Sequence, residues 1–294
     1  MAKDSGPGAR ELAVLGSPIQ HSLSPVLHSA AYRVLGLDWR YSSREVKPGE
    51  LAGFIAGLGP EWRGLSLTMP LKQEVLPLIT DLDRVAKLTG AANTVLLSHE
   101  SGRPTLSGFN TDVVGIVRAL AENGTASASH VSILGGGATA SSALMAAAEL
   151  GAETVDILVR TPPKAAPLVA LGRSLGVVVT VSDITARVAG PGPADLVIST
   201  LPGGAQLDVA LPDELRRSAV LFDVSYSPWP SALAQSWLDA SGTVVSGLPM
   251  LLHQALIQVR IFVAGDPFEP LPDEDAVLAA MRAALDEGAS TPAK

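Results

Sequence analysis

The stretch "HVSILGGGATASSALMAAAELGAETVDILVR", His130–Arg160, contains the pattern that decides the fold of this chain. An apolar run leads into three consecutive glycines, an alanine-rich run of helical length follows, and a second apolar run ends at Arg160. Apolar runs of strand length that alternate with helical runs are typical of α/β proteins with parallel sheets. The stretch therefore predicts a strand, a tight turn, a helix and a second strand.

The glycine turn carries the spacing G-x-G-x-x-A at Gly135, Gly137 and Ala140. In this pattern the first glycine permits the tight turn and the second lets a pyrophosphate approach the backbone, while the small third residue allows close strand–helix packing. The helix N-terminus then offers N–H groups and a positive dipole end to the phosphates. We predict that this turn binds a dinucleotide. An ordinary glycine-rich loop is the alternative.

The end of the next strand, "DILVRTPPKA", indicates which dinucleotide is bound. An acidic residue there usually binds the ribose 2′-hydroxyl of NAD, whereas an arginine accommodates the 2′-phosphate of NADP. This chain has no acid at the tip and continues with Arg160, Thr161 and Lys164. The pattern favours NADP, and a solvated basic loop is the alternative.

The same alternation extends outward from this stretch in both directions. At 294 residues the chain is long for one hydrophobic core, so two domains are expected. We place a first α/β domain at about residues 10–110 and a second, with the glycine turn, at about 115–245. From the pattern alone, the last helices fit against either domain.

Composition excludes several classes of protein. A net charge of −8 without a block of lysine and arginine argues against a nucleic-acid partner. The chain has no cysteine, which excludes disulfides and thiolate nucleophiles, and its five histidines lack metal-site spacing, so no metal is expected. The first ten residues lack an apolar signal core and no window approaches a membrane span, so we expect a cytoplasmic protein without a membrane partner.

Two polar segments supply candidate catalytic groups. "GLSLTMPLKQEV" provides Lys72, and "GFNTDVVGI" provides Asp112. A nicotinamide enzyme acting on an alcohol needs a group that transfers the hydroxyl proton, and a lysine beside a carboxylate can do this. From these residues alone, an exposed helix lysine and a helix-capping aspartate remain equal alternatives.

The run "HSLSP", His21–Pro25, predicts a helix start. Serine at an N-cap accepts an otherwise unpaired backbone N–H, and proline fits the first helical position, so Ser24 is the predicted cap. Capping does not account for Ser22.

Five motifs occur in the order found in the shikimate dehydrogenase family, which the sequence resembles over nearly its whole length. "GSPIQHSLSP" is similar to the family's substrate-binding serine motif, and "SLTMPLK" resembles its V-T-x-P-x-K segment. "TGAANTV", "GFNTDVVG" and "GLPMLLHQA" are similar to its G-A-x-N-T, G-x-N-T-D-x-x-G and G-x-x-M-L-x-x-Q-A segments. The resemblance implies substrate-binding residues at Ser22, Ser24, Thr68, Asn93, Asp112, Tyr226 and Gln254.

The resemblance also implies the fold and the cofactor contacts. A substrate-binding catalytic α/β domain would cover residues 10–112, a Rossmann-type NADP-binding domain 113–246, and C-terminal helices 247–288 would pack back on the first domain. The implied cofactor-binding residues are Gly135, Gly136, Gly137, Ala138, Arg160, Thr161, Lys164, Thr200, Gly247 and Met250. The sequence departs from the family at four positions: Ser66 replaces a frequent asparagine, the turn reads Gly-Gly-Gly-Ala, Ser141 replaces a frequent arginine, and Val159 replaces an asparagine.

The implied reaction is the reversible reduction of 3-dehydroshikimate to shikimate with NADPH, a step in aromatic amino-acid biosynthesis. Lys72 would donate the proton, and Asp112 would orient it and bind a ring hydroxyl. Three alternatives remain: a quinate/shikimate dehydrogenase that uses NAD, a paralogue that reduces an amino analogue, and a catalytically silent NADP-binding protein. The expected partner is the small-molecule substrate alone, bound by a monomer or a homodimer.

Overall fold

The computed structural model describes residues 9–98, 105–185, 193–205, 207 and 211–290. The chain divides into two compact units, each with its own six-stranded sheet. Met1–Thr111 and Gln254–Lys294 form the first unit, and Asp112–His253 forms the second. The predicted α/β class is confirmed. None of the helices in these ranges is long and apolar enough to cross a membrane.

The first unit alternates short strands and helices and takes its last helices from the end of the chain. Its strands are β1 (Arg10–Gly16), β2 (Trp39–Glu45), β3 (Trp62–Leu67), β4 (Asp81–Leu82), β5 (Thr94–Ser98) and β6 (Thr105–Phe109). Its helices are α1 (Ser24–Val34), α2 (Leu51–Ala56), α3 (Leu71–Glu74), α4 (Arg84–Thr89) and α11 (Glu274–Ser290), with a 3₁₀ turn at Leu76–Leu78. Helix α10 (Gly247–Ala264) begins in the second unit and enters the first at Gln254.

The sheet of the first unit has the order β2-β1-β3-β5-β6-β4. Strand β3 runs parallel to β1, and β5 runs antiparallel to both β3 and β6. In this register Thr94 lies opposite Ser66 on one side and Phe109 on the other. The carboxyl ends of β1, β3 and β6 therefore meet the amino end of β5 at one edge of the sheet.

Helix α10 packs directly against the sheet of the first unit. A Cβ at Gly64 of β3 would come well within 3.0 Å of the Phe262 ring, so only glycine allows this approach. The Arg63 side chain donates a hydrogen bond through Nε to the Phe262 carbonyl oxygen at 2.7 Å. Helix α11 packs along α1. The C-terminal segment is thus part of the core of the first unit.

The second unit is a parallel sheet with helices between its strands. Its strands are β7 (His130–Leu134), β8 (Thr154–Val159), β9 (Val178–Asp183), β10 (Leu196–Ser199), β11 (Val220–Asp223) and β12 (Val244–Val245). Its helices are α5 (Asp112–Glu122), α6 (Ala138–Glu149), α7 (Ala166–Leu175), α8 (Asp213–Ser218) and α9 (Ala232–Asp239), with a 3₁₀ turn at Pro162–Ala165. The central strands read as continuous apolar runs because both faces of the sheet are covered.

The strand order of the second sheet, β12-β11-β10-β7-β8-β9, determines where a ligand can bind. From β7 the chain proceeds outward through β8 and β9, then returns to the other side of β7 and proceeds through β10, β11 and β12. This is the doubly wound order of dinucleotide-binding folds, whose ligands bind at the carboxyl ends of the strands where the order reverses. The reversal lies between β7 and β10.

Candidate active site

Polar residues of the first unit gather at the sheet edge where β1, β3 and β6 end and β5 begins. Ser22 and Ser24 follow β1, Thr68 and Lys72 follow β3, and Asn93 immediately precedes β5. Thr111 follows β6. The sheet thus brings five of the residues predicted from sequence to one edge, although their segments are spread over the first third of the chain.

The segments at the ends of β1 and β3 are joined by backbone hydrogen bonds. The Ser17 N–H donates to the Met69 carbonyl at 3.1 Å, and the Thr68 N–H donates to the Leu15 carbonyl at 2.9 Å. A Cβ at Gly16 would come well within 3.0 Å of the Thr68 methyl group, so glycine is required for this approach. The side chain of Thr68 is therefore held in a fixed place beside the first loop.

Lys72 lies in the single-turn helix α3 and is partly buried. Its backbone carbonyl accepts a hydrogen bond from the Ala92 N–H at 2.9 Å, and the Leu67 N–H donates to the Asn93 carbonyl at 2.7 Å. These two bonds attach the lysine-bearing turn to the segment that carries Asn93. Asp112 is the first residue of α5 and is buried, at 3% exposure. A carboxylate in a first turn is favoured by the helix dipole.

The predicted capping role of Ser24 is wrong. Leu23 occupies the N-cap position without a side-chain hydrogen bond, and Ser24 is already the first helical residue, with Pro25 second. A capping side chain must come from outside the helix, so Ser24 lies one residue too late for that role. Instead the Ser24 N–H donates a long hydrogen bond, 3.4 Å, to the Ser22 hydroxyl oxygen. Ser24 itself is buried, at 5% exposure.

Asn93 is fixed at both ends of its side-chain amide and is 2% exposed. Its Oδ1 accepts hydrogen bonds from the Thr111 N–H and the Thr94 hydroxyl, each at 2.9 Å. Its Nδ2 donates to Thr111 Oγ1 at 2.9 Å and to Gln254 Oε1 at 3.3 Å. Gln254, 161 residues further along the chain, therefore lies next to Asn93.

The glycine turn of the second unit lies at the strand-order reversal. Gly135 has φ +115°, and a Cβ there would come well within 3.0 Å of Thr200 Oγ1, whose hydroxyl donates to the Leu134 carbonyl at 3.0 Å. Gly137 is the N-cap of α6, and Ala138 opens the helix. Ala140 is fully buried, as expected for the small residue that lets the helix approach β7. The free N–H groups of this helix end can hold an anion.

The two basic residues predicted to bind the cofactor follow β8, next to the glycine turn. Val159 is the last residue of β8, and a Cβ at Gly136 would come within 2.8 Å of its side chain. Arg160, Thr161 and Lys164 come directly after and are exposed. Two cations and a hydroxyl beside the turn can hold a further phosphate.

Tyr226 lies in a loop that a buried carboxylate organises. Asp223, the last residue of β11, accepts hydrogen bonds from the Ser231 hydroxyl at 2.5 Å and the Ser225 N–H at 3.1 Å. Burial raises the pKa of Asp223, and these hydrogen bonds oppose the shift. Ser231 also caps α9. Sequence reasoning missed Asp223, although an acid closing the apolar run "AVLFD" was a usable signal.

The start of α10 approaches the same loop closely. The Gly247 N–H donates to the Ser225 carbonyl at 3.2 Å, and a Cβ at Gly247 would come well within 3.0 Å of the Val224 carbonyl oxygen. Met250, one turn later, is buried. Across the described ranges, no group of three histidine or acidic side chains is placed to hold a metal ion.

Comparisons with known proteins point to one family. A sequence model of the shikimate dehydrogenase substrate binding domain matches residues 14–95. The NADP(+) shikimate dehydrogenase of Methanothermobacter thermautotrophicus is 36% identical over 263 residues, which cover 86% of this chain and 91% of that protein.

Two solved structures extend this likeness to three dimensions. The crystal structure of Mycobacterium tuberculosis shikimate dehydrogenase is 38% identical, with a TM-score of 0.76, and the match covers 93% of this chain and 99% of that one. The Thermus thermophilus shikimate 5-dehydrogenase, solved in complex with NADP(H) and shikimate, is 31% identical. Its TM-score is 0.74, over 94% of this chain and 99% of that one.

Proposed function

The chain belongs to the shikimate dehydrogenase family, and from this premise we propose that it catalyses the NADPH-dependent, reversible reduction of 3-dehydroshikimate to shikimate. The observation that carries the proposal is the 36% identity to an NADP(+) shikimate dehydrogenase over 86% of the chain. The reaction makes the protein an oxidoreductase of the shikimate pathway.

We assign substrate binding to the polar edge of the first unit. Ser22 and Ser24, in the loop after β1, bind the substrate carboxylate. Thr68, Asn93 and Gln254 bind the ring hydroxyls. From the second unit, Asp112 binds a ring hydroxyl and Tyr226 contacts the substrate. The assignment is supported by the shared sheet edge and by the hydrogen bond from Asn93 to Gln254.

Lys72 is the proton donor in this proposal. The ring carbonyl oxygen becomes negative as its carbon is reduced, and the Lys72 ammonium gives it a proton to form the alcohol. In the oxidation direction, the neutral amine takes this proton back. Asp112 orients the lysine and accepts a hydrogen bond from a ring hydroxyl.

The second unit fits NADP. Gly135 leaves the space at the strand-order reversal that any side chain would fill, and Gly137 opens α6 toward a pyrophosphate. Gly136 and Ala138 belong to the same turn, Thr200 follows the neighbouring strand β10, and Gly247 and Met250 lie in the first turn of α10, which follows β12. Arg160, Thr161 and Lys164 bind the 2′-phosphate. When bound, NADPH supplies the hydride.

The choice of substrate and cofactor is tested by the absorbance of reduced nicotinamide during oxidation of shikimate or quinate with NADP or NAD. Fast turnover with shikimate and NADP alone is expected. Comparable rates with quinate or NAD would instead identify a quinate/shikimate dehydrogenase that uses NAD, an alternative that the comparisons above do not favour. No turnover with any pair would refute the proposal.

We further propose that the protein works in the cytoplasm as a monomer or a homodimer. Its cofactor and substrate are small metabolites, so the reaction requires no further partner. Light scattering after size-exclusion chromatography measures the oligomeric state, and assay of cell fractions measures the location. A larger assembly, or activity in the membrane fraction, would contradict the proposal.

A further inference from the structure

The side-chain amide of Gln258 in α10 links the core of the first unit to the proposed substrate residues. Gln258 is 2% exposed. Its Oε1 accepts a hydrogen bond from the Ser66 hydroxyl at 2.8 Å and lies 3.2 Å from His28 Nε2. Its Nε2 donates to Thr94 Oγ1 at 3.0 Å and to the Asn93 carbonyl at 3.2 Å. Both lone pairs and both hydrogens of the amide are therefore used.

This arrangement permits only one orientation of Gln258. The Asn93 backbone carbonyl can only accept a hydrogen bond, so the amide NH₂ of Gln258 must face it. The oxygen of the amide then faces His28, and His28 Nε2 must carry a proton. The other ring nitrogen of His28, Nδ1, accepts from the Tyr32 hydroxyl at 3.1 Å.

His28 is held as a neutral ring in this single tautomer. It is fully buried and stacks on Tyr41, with ring centroids 3.9 Å apart and planes 8° from parallel. Burial lowers the pKa of His28 to about 3, and the hydrogen bond to Gln258 opposes the shift only in part. The Tyr41 hydroxyl donates to Ser66 Oγ at 2.7 Å, which directs the Ser66 hydroxyl hydrogen to Gln258.

The orientation of Gln258 is passed on to Asn93. Because Thr94 Oγ1 accepts from Gln258, its own hydrogen is available for Asn93 Oδ1, which it reaches at 2.9 Å. That bond and the bond from the Thr111 N–H to the same oxygen, at 2.9 Å, together hold Nδ2 of Asn93 toward Thr111 Oγ1 and Gln254. The side chains thus form a series in which each one donates a hydrogen bond to the next: Tyr32, His28, Gln258, Thr94, Asn93 and Gln254. An asparagine amide without such partners could flip by half a turn.

We infer that Gln258 is a positioning residue, which acts through Thr94 and together with the Thr111 N–H holds the Asn93 amide in the orientation that meets the ring hydroxyls of the substrate. This inference rests on the proposed function, in which Asn93 and Gln254 contact those hydroxyls. The inference assigns Gln258 itself no contact with substrate or cofactor.

The test compares Gln258→Leu and Gln258→Glu with the control Glu274→Gln. Glu274 forms an ion pair with Arg260, which lies two residues after Gln258 on α10. Neither residue belongs to the series of hydrogen bonds that runs from Tyr32 to Gln254. The readouts are kcat and KM for shikimate, the Kd of shikimate by calorimetry, and the thermal unfolding midpoint. Gln258→Leu is expected to raise KM and Kd about tenfold and to change kcat less, because ground-state contacts are lost. Glu274→Gln is expected to lower the unfolding midpoint and leave KM unchanged.

Gln258→Glu separates positioning from packing, because it keeps the shape of the side chain. A neutral carboxylic acid can donate one hydrogen bond toward Thr94, whereas a carboxylate can only accept. The titratable groups near position 258 are His28, Tyr32 and Tyr41, and burial raises the pKa of both tyrosines. The ratio of the KM of this variant to the wild-type KM, both measured at the same pH, is therefore expected to rise about tenfold between roughly pH 6 and pH 9, as the carboxylic acid ionises.

The inference is overturned if both Gln258 variants keep the wild-type KM and Kd within about twofold, at every pH, while their unfolding midpoints fall like that of the control. Failure of the proposed function has a different signature. A wild type that binds shikimate but does not oxidise it refutes the activity, and the Kd values still decide the role of Gln258. A wild type that neither binds nor oxidises shikimate overturns both.

Discussion

Replacing Gly135 by alanine is expected to destabilise the second unit through two separate effects. At φ +115° an L-residue is strained, which costs about 1–3 kcal/mol. The added methyl group would also come well within 3.0 Å of Thr200 Oγ1, so Thr200 must rotate and lose its hydrogen bond to the Leu134 carbonyl. That loss adds about 1 kcal/mol. We expect the free energy of unfolding to fall by about 2–4 kcal/mol.

Denaturant unfolding measures this effect, and Gly137→Ala is the matched control for stability. Gly137 has φ −89° and no atom within 4 Å of an added Cβ, so its replacement is expected to change stability by less than about 1 kcal/mol. A double variant with Thr200→Ala removes the collision but keeps the backbone strain, and the cycle separates the two effects. Calorimetry is expected to show weaker NADP binding by Gly135→Ala. A stability of Gly135→Ala equal to that of Gly137→Ala would refute the reasoning.

Three further outcomes are expected. Lys72→Ala is expected to lower kcat about 10²–10⁴-fold with a smaller change in KM, since it removes the proposed proton donor. Steady-state kinetics check this, and a raised KM alone would contradict the proposed role. Arg160→Ser raises KM for NADPH about tenfold and leaves KM for NADH nearly unchanged; equal effects on both cofactors would exclude a 2′-phosphate contact. His28, with its pKa lowered to about 3, destabilises the fold as pH falls below its unfolded pKa of 6.5, because only the unfolded chain binds the proton there. Wild type should lose about 2 kcal/mol between about pH 7 and pH 5 from this group, and unfolding curves of His28→Gln should lack that loss.

Local chemistry in the sequence was enough to predict the second unit. The spacing of Gly135, Gly137 and Ala140 meets requirements that lie within one turn and its flanking strand and helix: a positive φ, an open helix end and a small packing residue. Apolar runs between helical runs then imply a parallel sheet, and this class is confirmed. The residue types proposed for chemistry, such as Lys72 and Asp112, were also visible as motifs.

Short elements escaped the sequence analysis because their signals are weak. Strand β6 (Thr105–Phe109) and helix α4 (Arg84–Thr89) are too short for a clear period, and tertiary pairing stabilises them. The helix start at Ser24 was misplaced by one residue, since Ser-Pro fits two adjacent positions of a helix N-terminus equally well.

What the sequence determined by itself was the class of fold, the position of the glycine turn and the set of polar residues proposed for catalysis. Only the tertiary structure decided which of those residues meet. Asn93 contacts Gln254 across 161 residues, and His28 contacts Gln258 across 230, because strand register and the packing of α10 against Gly64 bring them together. Such contacts depend on the three-dimensional arrangement of the sheet. The hydrophobic period and the propensities of a segment describe only its local structure and carry no information about its distant partners.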